Sequence, residues 1–269
     1  MTNNLLAFST LGCPSWDLDR IISGATEYGY EGVELRGYLG DMDLPKAAPF
    51  TLENRAGTLA RFTDAGISVC CVSSSGVVAQ GNVEHVRSHA ALARALKCPH
   101  VRVFGGDLDS ELPHDAALVK AAETLRLFGD AAESEGVRII LETHDAFSTG
   151  QSVAELLTLA DHSAVSSLWD LHHPYRQNEP FGDTFAYLAP TLAHTHIKDS
   201  KDGVYTLLGD GDVPLFPMLD LLLTDGYTGP ISLEWEKRWH PEILDPEVAF
   251  PQYAKAVREY FDNRSASSV

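Results

Sequence analysis

The chain has 269 residues, enough to bury a large core, and its 20 basic against 38 acidic side chains leave a formal charge of −18. Such a balance repels phosphate backbones and anionic lipid, so nucleic acid and membrane surfaces are excluded as partners; most of the acidity serves solubility, while it also raises the local cation concentration. No segment has the length of a membrane span, the start MTNNLLAFSTLGCPSW lacks a basic leader with a long apolar stretch, and Cys13, Cys70, Cys71 and Cys98 show no CxxC spacing, so a soluble cytoplasmic protein with reduced, buried thiols is expected.

Strand-like runs start with LLAFS (5–9) and GVELR (32–36), continue with ISVCCVS (67–73) and HVRVFGG (100–106), and finish with VRIILETH (137–144), SSLWDLHH (166–173), LAHTHIKD (192–199) and GPISLEWE (229–236). Helical patterns such as WDLDRIISGATEYG, VEHVRSHAALARALK and HDAALVKAAETLRLFGDAAESEG lie between them, and glycine marks the turn into a strand in YGYEGVEL, DAGISVCC, SEGVRIIL and DGYTGPISL. Eight strand and helix units, with strands apolar on both faces, predict an α/β fold of the (β/α)8 TIM-barrel type, one domain over residues 1–269 with a frayed tail at 263–269. An open dinucleotide-binding sheet is disfavoured because no GxGxxG follows the first strand.

The last four runs each bear a metal-binding residue at or near the C-terminal end: Glu142, Asp170, His196 and Glu234. In a barrel these ends share one mouth, and desolvated carboxylates and imidazole there call for a common partner. Three oxygen donors and one nitrogen suit a hard or borderline divalent cation. Alternation places Glu142 with His144, Asp170 with His172, His194 with His196 and Lys198, and Glu234 with Glu236 on common faces, an unusual density of charge for a barrel interior.

With these residues in order, the chain resembles the xylose isomerase-like barrel superfamily, in its sugar isomerase and epimerase branch, which includes ketose 3-epimerases and has inosose dehydratases as relatives. Asp170 and His196 stand 26 residues apart, His173 follows Asp170 in a DxxH pattern, and GYEGVELR, HVRVFGG, HIKDS, LLGDGDVP and SLEWEKRWHPEI are further similar phrases. The resemblance implies one divalent ion held by Glu142, Asp170, His196 and Glu234, with Glu142 and Glu234 doubling as the catalytic bases and His173 binding substrate. Manganese is favoured, with magnesium, cobalt or zinc as alternatives. One departure is visible: where ketose epimerases have an arginine shortly after the metal histidine, this chain has Lys201 and Asp202.

The expected activity is isomerisation or epimerisation of a keto sugar or related polyol, through proton abstraction beside a carbonyl and a metal-stabilised enediolate. A lyase of the inosose dehydratase kind, or one cleaving 3-keto glycosides, is the alternative, toward which the missing arginine and Lys198 tilt; a non-catalytic sugar-binding barrel ranks below both, and a DNA endonuclease is opposed by charge. A small carbohydrate is thus the expected partner, and an oligomer is left open, with RWHPEI able to cover the site or form an interface. Further substrate contacts are assigned to Lys198, His144, Trp16 and Arg102, each weighed against structural pairing or packing. Glu34 and Arg36 share a face of the second strand and are expected to pair with each other, His172 and His194 are divided between pocket lining and interior hydrogen bonding, and Trp169 and Trp235 should pack under helices. The PheGlyGly run at 104–106 offers either close backbone approach to substrate or a simple turn.

Overall fold

The structure is a computed structural model that describes residues 4–267. Its elements run β1 (Leu6–Ser9), α1 (Leu18–Tyr28), β2 (Gly32–Leu35), α2 (Arg55–Asp64), β3 (Ser68–Val77), α3 (Val83–Ala95), β4 (His100–Phe104), α4 (His114–Glu133), β5 (Arg138–Glu142), α5 (Gly150–Ala160), β6 (Val165–Asp170), α6 (His172–Arg176), α7 (Phe181–Leu188), β7 (Leu192–Ile197), β8 (Asp199–Lys201), β9 (Val204–Thr206), α8 (Leu215–Thr224), β10 (Ile231–Leu233) and α9 (Pro246–Ser267). Parallel pairing closes the strands β1-β10-β7-β6-β5-β4-β3-β2 into a single barrel, as the repeating units predict. The expected loose tail at 263–269 is helical as far as Ser267 in α9, and 268–269 lie outside the described residues.

Local sequence explains why the units close. Asp17, Asn82 and Thr149 each accept a first-turn backbone N–H with a side-chain oxygen, which starts α1, α3 and α5. Gly29, at φ 79°, ends α1 in the left-handed conformation that lets the chain turn into β2. Strand side chains are buried on both faces: Phe8, Val33, Val101 and Leu141 face the helices, whereas Ala7, Cys70, Cys71, Ile140 and Leu168 form a separate inner cluster. All four cysteines are buried and free, as expected.

The barrel interior is layered. Its floor is the apolar inner cluster; above it Glu34, Ser73 and His194 form a polar layer, and Glu142, Asp170, His196 and Glu234 follow at the strand ends. Register shifts at Val33/Glu34 and at Ser167/Leu168 insert an extra residue in β3 and in β7, re-aiming the side chains that follow toward the axis. A hairpin absent from the sequence reading, β8 with β9, rises beyond β7. Its two-residue turn puts Asp202 at φ 51° and Gly203 at φ 82°, the backbone that Asp-Gly favours. No helix among the described residues is long and apolar enough to cross a membrane.

Candidate metal centre at the barrel mouth

Glu142, Asp170, His196 and Glu234 are all buried, and one donor atom from each lies within 4.8 Å of the others. β5 and β6 end on the two acids Glu142 and Asp170, and pairing sets Asp170 beside His196 on β7. His196 turns Nδ1 toward the cluster, 3.3 Å from Glu142 Oε1, 3.4 Å from Glu234 Oε2 and 3.8 Å from Asp170 Oδ2. Its other nitrogen, Nε2, donates to Glu34 Oε2 at 2.9 Å, and the same oxygen accepts from His194 Nε2 at 3.0 Å. Glu34 thus fixes the imidazole's tautomer and orientation from below, a carboxylate to histidine relay typical of metal centres. The predicted Glu34–Arg36 pair is not formed: Arg36 instead donates to Ser75 Oγ at 3.2 Å, because the strand shift gives the histidines and Ser73 the nearer claim on Glu34.

Lys198 is fully buried among the acids, with Nζ 2.6 Å from Asp170 Oδ2, 2.5 Å from Glu234 Oε2 and 3.0 Å from Glu236 Oε1. The Asp170 contact is a close ion pair without hydrogen-bond geometry, so Oδ2 keeps an unshared lone pair, as does Glu142 Oε2 beside Arg102 Nε at 3.3 Å. Five acids (Glu34, Glu142, Asp170, Glu234, Glu236) face three permanent cations (Lys198, Arg36, Arg102) here. Counting every acid as ionised and His196 as neutral leaves two negative charges, the complement of one divalent ion. Donor set, charge and orphaned oxygens therefore fit a bound divalent cation.

Without the ion, the same excess of negative charge falls on His196 and Lys198. Burial opposes ionisation of Asp170, but Lys198 and His173 outweigh it and hold its carboxyl down at about 2. For Glu234 burial is likewise overcome, by His196 and Lys198, which keep it well below the usual carboxylate range. Burial and Glu234 push Glu142 up, yet Arg102 and His196 bring it below its ordinary value. His196 answers in reverse: burial disfavours its charge, and Glu234, Glu34 and Glu142 hold its imidazole well above the ordinary histidine value.

Other side chains ring the mouth. Arg102 stacks on Phe104 with its guanidinium 3.8 Å from the ring centre and its Nε 3.3 Å from Glu142 Oε2. His144, beside Asp145 Oδ1 at 2.7 Å, packs edge-on to His173, whose backbone N–H and that of His172 are anchored on Asp170 Oδ1. His172 pairs with Ser200 Oγ at 2.7 Å and stacks near Tyr205 of β9, which in turn meets His240 from the RWHPEI segment. Tyr205, Glu236 and Glu34 were not singled out from sequence as site residues; the Asp-Gly turn was the available sign for the hairpin that presents Tyr205. Trp16 is not brought to the mouth. It packs against Phe250 and Phe8 under α1 and α9, donates to Glu247, and would collide with any side chain at Gly24, so apolar packing claims the indole. PheGlyGly likewise answers to packing, since a Cβ on Gly105 would sit 2.1 Å from Phe147. Trp169 and Trp235 pack against Phe185 and Tyr253 of the helical layer, as expected.

Among curated proteins, an inosose dehydratase from Mesomycoplasma hyopneumoniae (strain 7448) is 25% identical over 279 residues, which covers 90% of this chain and 87% of that protein. Among solved structures, an L-ribulose 3-epimerase superposes with a TM-score of 0.81 at 18% identity, covering 98% of this chain and 97% of the other. The probable 3-DHS dehydratase involved in petrobactin synthesis from Bacillus anthracis gives 0.77 at 18% identity, over 96% and 99% of the two chains. Both structural likenesses establish the fold. The profile described as "Xylose isomerase-like TIM barrel" matches residues 22–260, and the chain belongs to that family.

Proposed function

We propose that this barrel is a divalent-metal-dependent lyase, one that removes a proton beside the carbonyl of a small polyhydroxylated ketone and expels the β-hydroxyl as water. The observation that carries this reading is the inequality of the two candidate bases. Glu234 Oε2 accepts a hydrogen bond from the Lys198 ammonium at 2.5 Å, whereas Glu142 Oε2, ion-paired with Arg102 Nε at 3.3 Å, accepts none. Epimerisation needs two competent bases on opposite faces of one carbon; elimination needs one base and one acid.

Glu142, Asp170, His196 and Glu234 would hold the cation, and carboxylate-rich ligation favours manganese. When bound, the ion supplies a Lewis acid that makes the proton beside the carbonyl removable at neutral pH. Glu142 Oε2 takes that proton, the C–H electron pair becomes the new C=C bond, and the C–O bond to the β-hydroxyl breaks. His144 is the acid that protonates the departing oxygen. Burial disfavours its charge, but Asp145 and Glu142 outweigh it and raise its pKa above the ordinary value, a shift that favours the protonated ring. Lys198 and Arg102 contribute fixed positive charge in a water-poor setting where developing negative charge is otherwise unsupported. The name of the curated relatives, inosose dehydratase, agrees with this class of reaction.

Epimerisation of a keto sugar is the second reading, supported by the presence of two carboxylates in one cluster. Incubating the Mn²⁺-loaded protein with an inosose, a 3-keto glycoside and 2-keto hexoses in D₂O separates them. Loss of water from the inosose or hexose, or of the aglycone alcohol from the glycoside, with a new conjugated-enone absorbance is expected; unchanged mass apart from one deuterium at an inverted carbon would replace the lyase reading with the epimerase one.

A further inference from the structure

Away from the ligand cluster, the loop after β2 and the exposed turn of α3 bring together a second set of donors. Asp43, His85 and His89 offer ligand atoms that all lie within 4.8 Å of one another. His85 and His89 are four residues apart on α3 and so project from one face, their ring centres 4.2 Å apart. The turn they occupy is held by Asn82, whose side chain accepts the His85 backbone N–H at 3.1 Å.

The hydrogen-bond pattern is that of ligands rather than of core histidines. His89 is fully buried, and its Nδ1 lies 2.8 Å from the His85 main-chain carbonyl, which can only accept. The proton therefore sits on Nδ1, and Nε2 presents a lone pair. That Nε2 is buried without a partner, and so is Nε2 of half-buried His85. Two orphaned imidazole nitrogens beside a carboxylate are costly unless something electron-poor lies between them. A backbone carbonyl on the far nitrogen is also the usual brace of a metal-bound histidine.

Neutrality of the rings is favoured by their surroundings. Burial lowers the pKa of His89 to about 4 and outweighs its bond to the His85 carbonyl, and burial also lowers His85; Asp43 pulls both the other way, while Arg36 and, for His85, Lys46 repel a second positive charge. Lys46 competes for Asp43, 2.6 Å from Oδ2, but its side chain is largely exposed and free to swing away.

We propose that Asp43, His85 and His89 form a second, independent divalent-metal site that takes a borderline ion of the Zn²⁺ or Co²⁺ class, completes its shell with water, and staples the β2 to α2 loop onto α3. Two imidazoles and one carboxylate suit such an ion better than Mn²⁺ or Mg²⁺, which distinguishes this site from the carboxylate-rich mouth. The loop it would pin begins at Arg36, beside the mouth, so occupancy would stiffen one wall of the main site.

The test uses the full-length Glu142→Gln/Glu234→Gln protein, in which the mouth is disabled, titrated with Co²⁺ and followed by its visible d–d bands and by calorimetry. One Co²⁺ per chain with bands of low-symmetry nitrogen and oxygen ligation is expected. Adding His85→Ala or His89→Gln should weaken that binding by more than the roughly 10- to 100-fold that loss of an outer-shell partner costs. Circular dichroism checks the fold, and should His89→Gln fail to fold, the half-buried position 85 decides. No residual Co²⁺ in the mouth-disabled protein, or residual Co²⁺ indifferent to both histidine changes in folded variants, would overturn the proposal.

Discussion

Replacing Glu34 by Gln isolates one electrostatic contact beneath the candidate metal centre. The amide keeps the carboxylate's shape: a carbonyl oxygen can still accept from His194 and His196, and Ser73, now donating to Oε1 at 2.7 Å, can rotate its hydroxyl to accept instead. What disappears is the negative charge 2.9 Å from the His196 ring, which makes that imidazole a better donor to a cation. Loss of such an outer partner costs about 10- to 100-fold in metal affinity, or about 1.4–2.7 kcal/mol. Calorimetric titration of Mn²⁺ into wild type and Glu34→Gln reads this directly. The same variant has a stability signature. Burial pushes the Glu34 carboxyl up, but His196 and His194 prevail and hold it well below its ordinary value of 4.5. A depressed folded-state pKa gives stability that is fully present above the ordinary carboxylate value and is lost as pH falls through the folded one. Gln cannot titrate, so the stability gap between the two proteins should narrow as urea melts are taken from neutral pH to below 4.5. A folded Glu34→Gln protein with unchanged Mn²⁺ affinity and a pH-independent gap would refute the relay.

Glu142→Gln should lower turnover by about 10²–10⁴-fold, the usual range for a lost general base, while Glu234→Gln acts mainly through weaker metal retention that excess Mn²⁺ partly restores; comparable, Mn²⁺-insensitive losses would contradict the one-base scheme. Lys198→Met strips the ammonium from Asp170, Glu234 and Glu236 and should destabilise the metal-free protein by about 3–5 kcal/mol, since breaking a buried charge pair leaves acids uncompensated. Thermal melts with and without Mn²⁺ should show a larger metal-induced rise in Tm than in wild type, and an equal rise counts against the charge balance. Trp16→Phe should lower stability by about 1–3 kcal/mol through the lost Glu247 bond and smaller ring, yet leave KM unchanged; a raised KM would return the indole to the substrate site.

The barrel was legible because its signals are local and repeated: strand runs apolar on both faces, capped helices, and glycine turns such as Gly29. The convergence of Glu142, Asp170, His196 and Glu234 was legible for a related reason, since each closes an apolar strand and parallel strands of a barrel end at one mouth. Partners were harder to foresee. Glu34 was paired with Arg36 by strict alternation, but an extra residue in β3 and another in β7 shift the register and deliver Glu34 to His194 and His196 instead. Trp16, following a strand in a loop, offered both a substrate contact and packing; whether a loop aromatic turns inward depends on distant residues, here Phe250 and Gly24, that no nearby pattern reveals. The placement of Lys198 within the ligand cluster follows from three strands converging, and only its inward parity could be read beforehand.

Crystals of the protein soaked in Mn²⁺ and measured at the manganese edge test the central claim most directly. The account predicts an anomalous peak within coordination distance of His196 Nδ1 and of oxygens of Glu142, Asp170 and Glu234, with Lys198 Nζ drawn back from Asp170 while it stays on Glu234. A mouth without a peak, with Lys198 still seated between those two acids at saturating Mn²⁺, would contradict it.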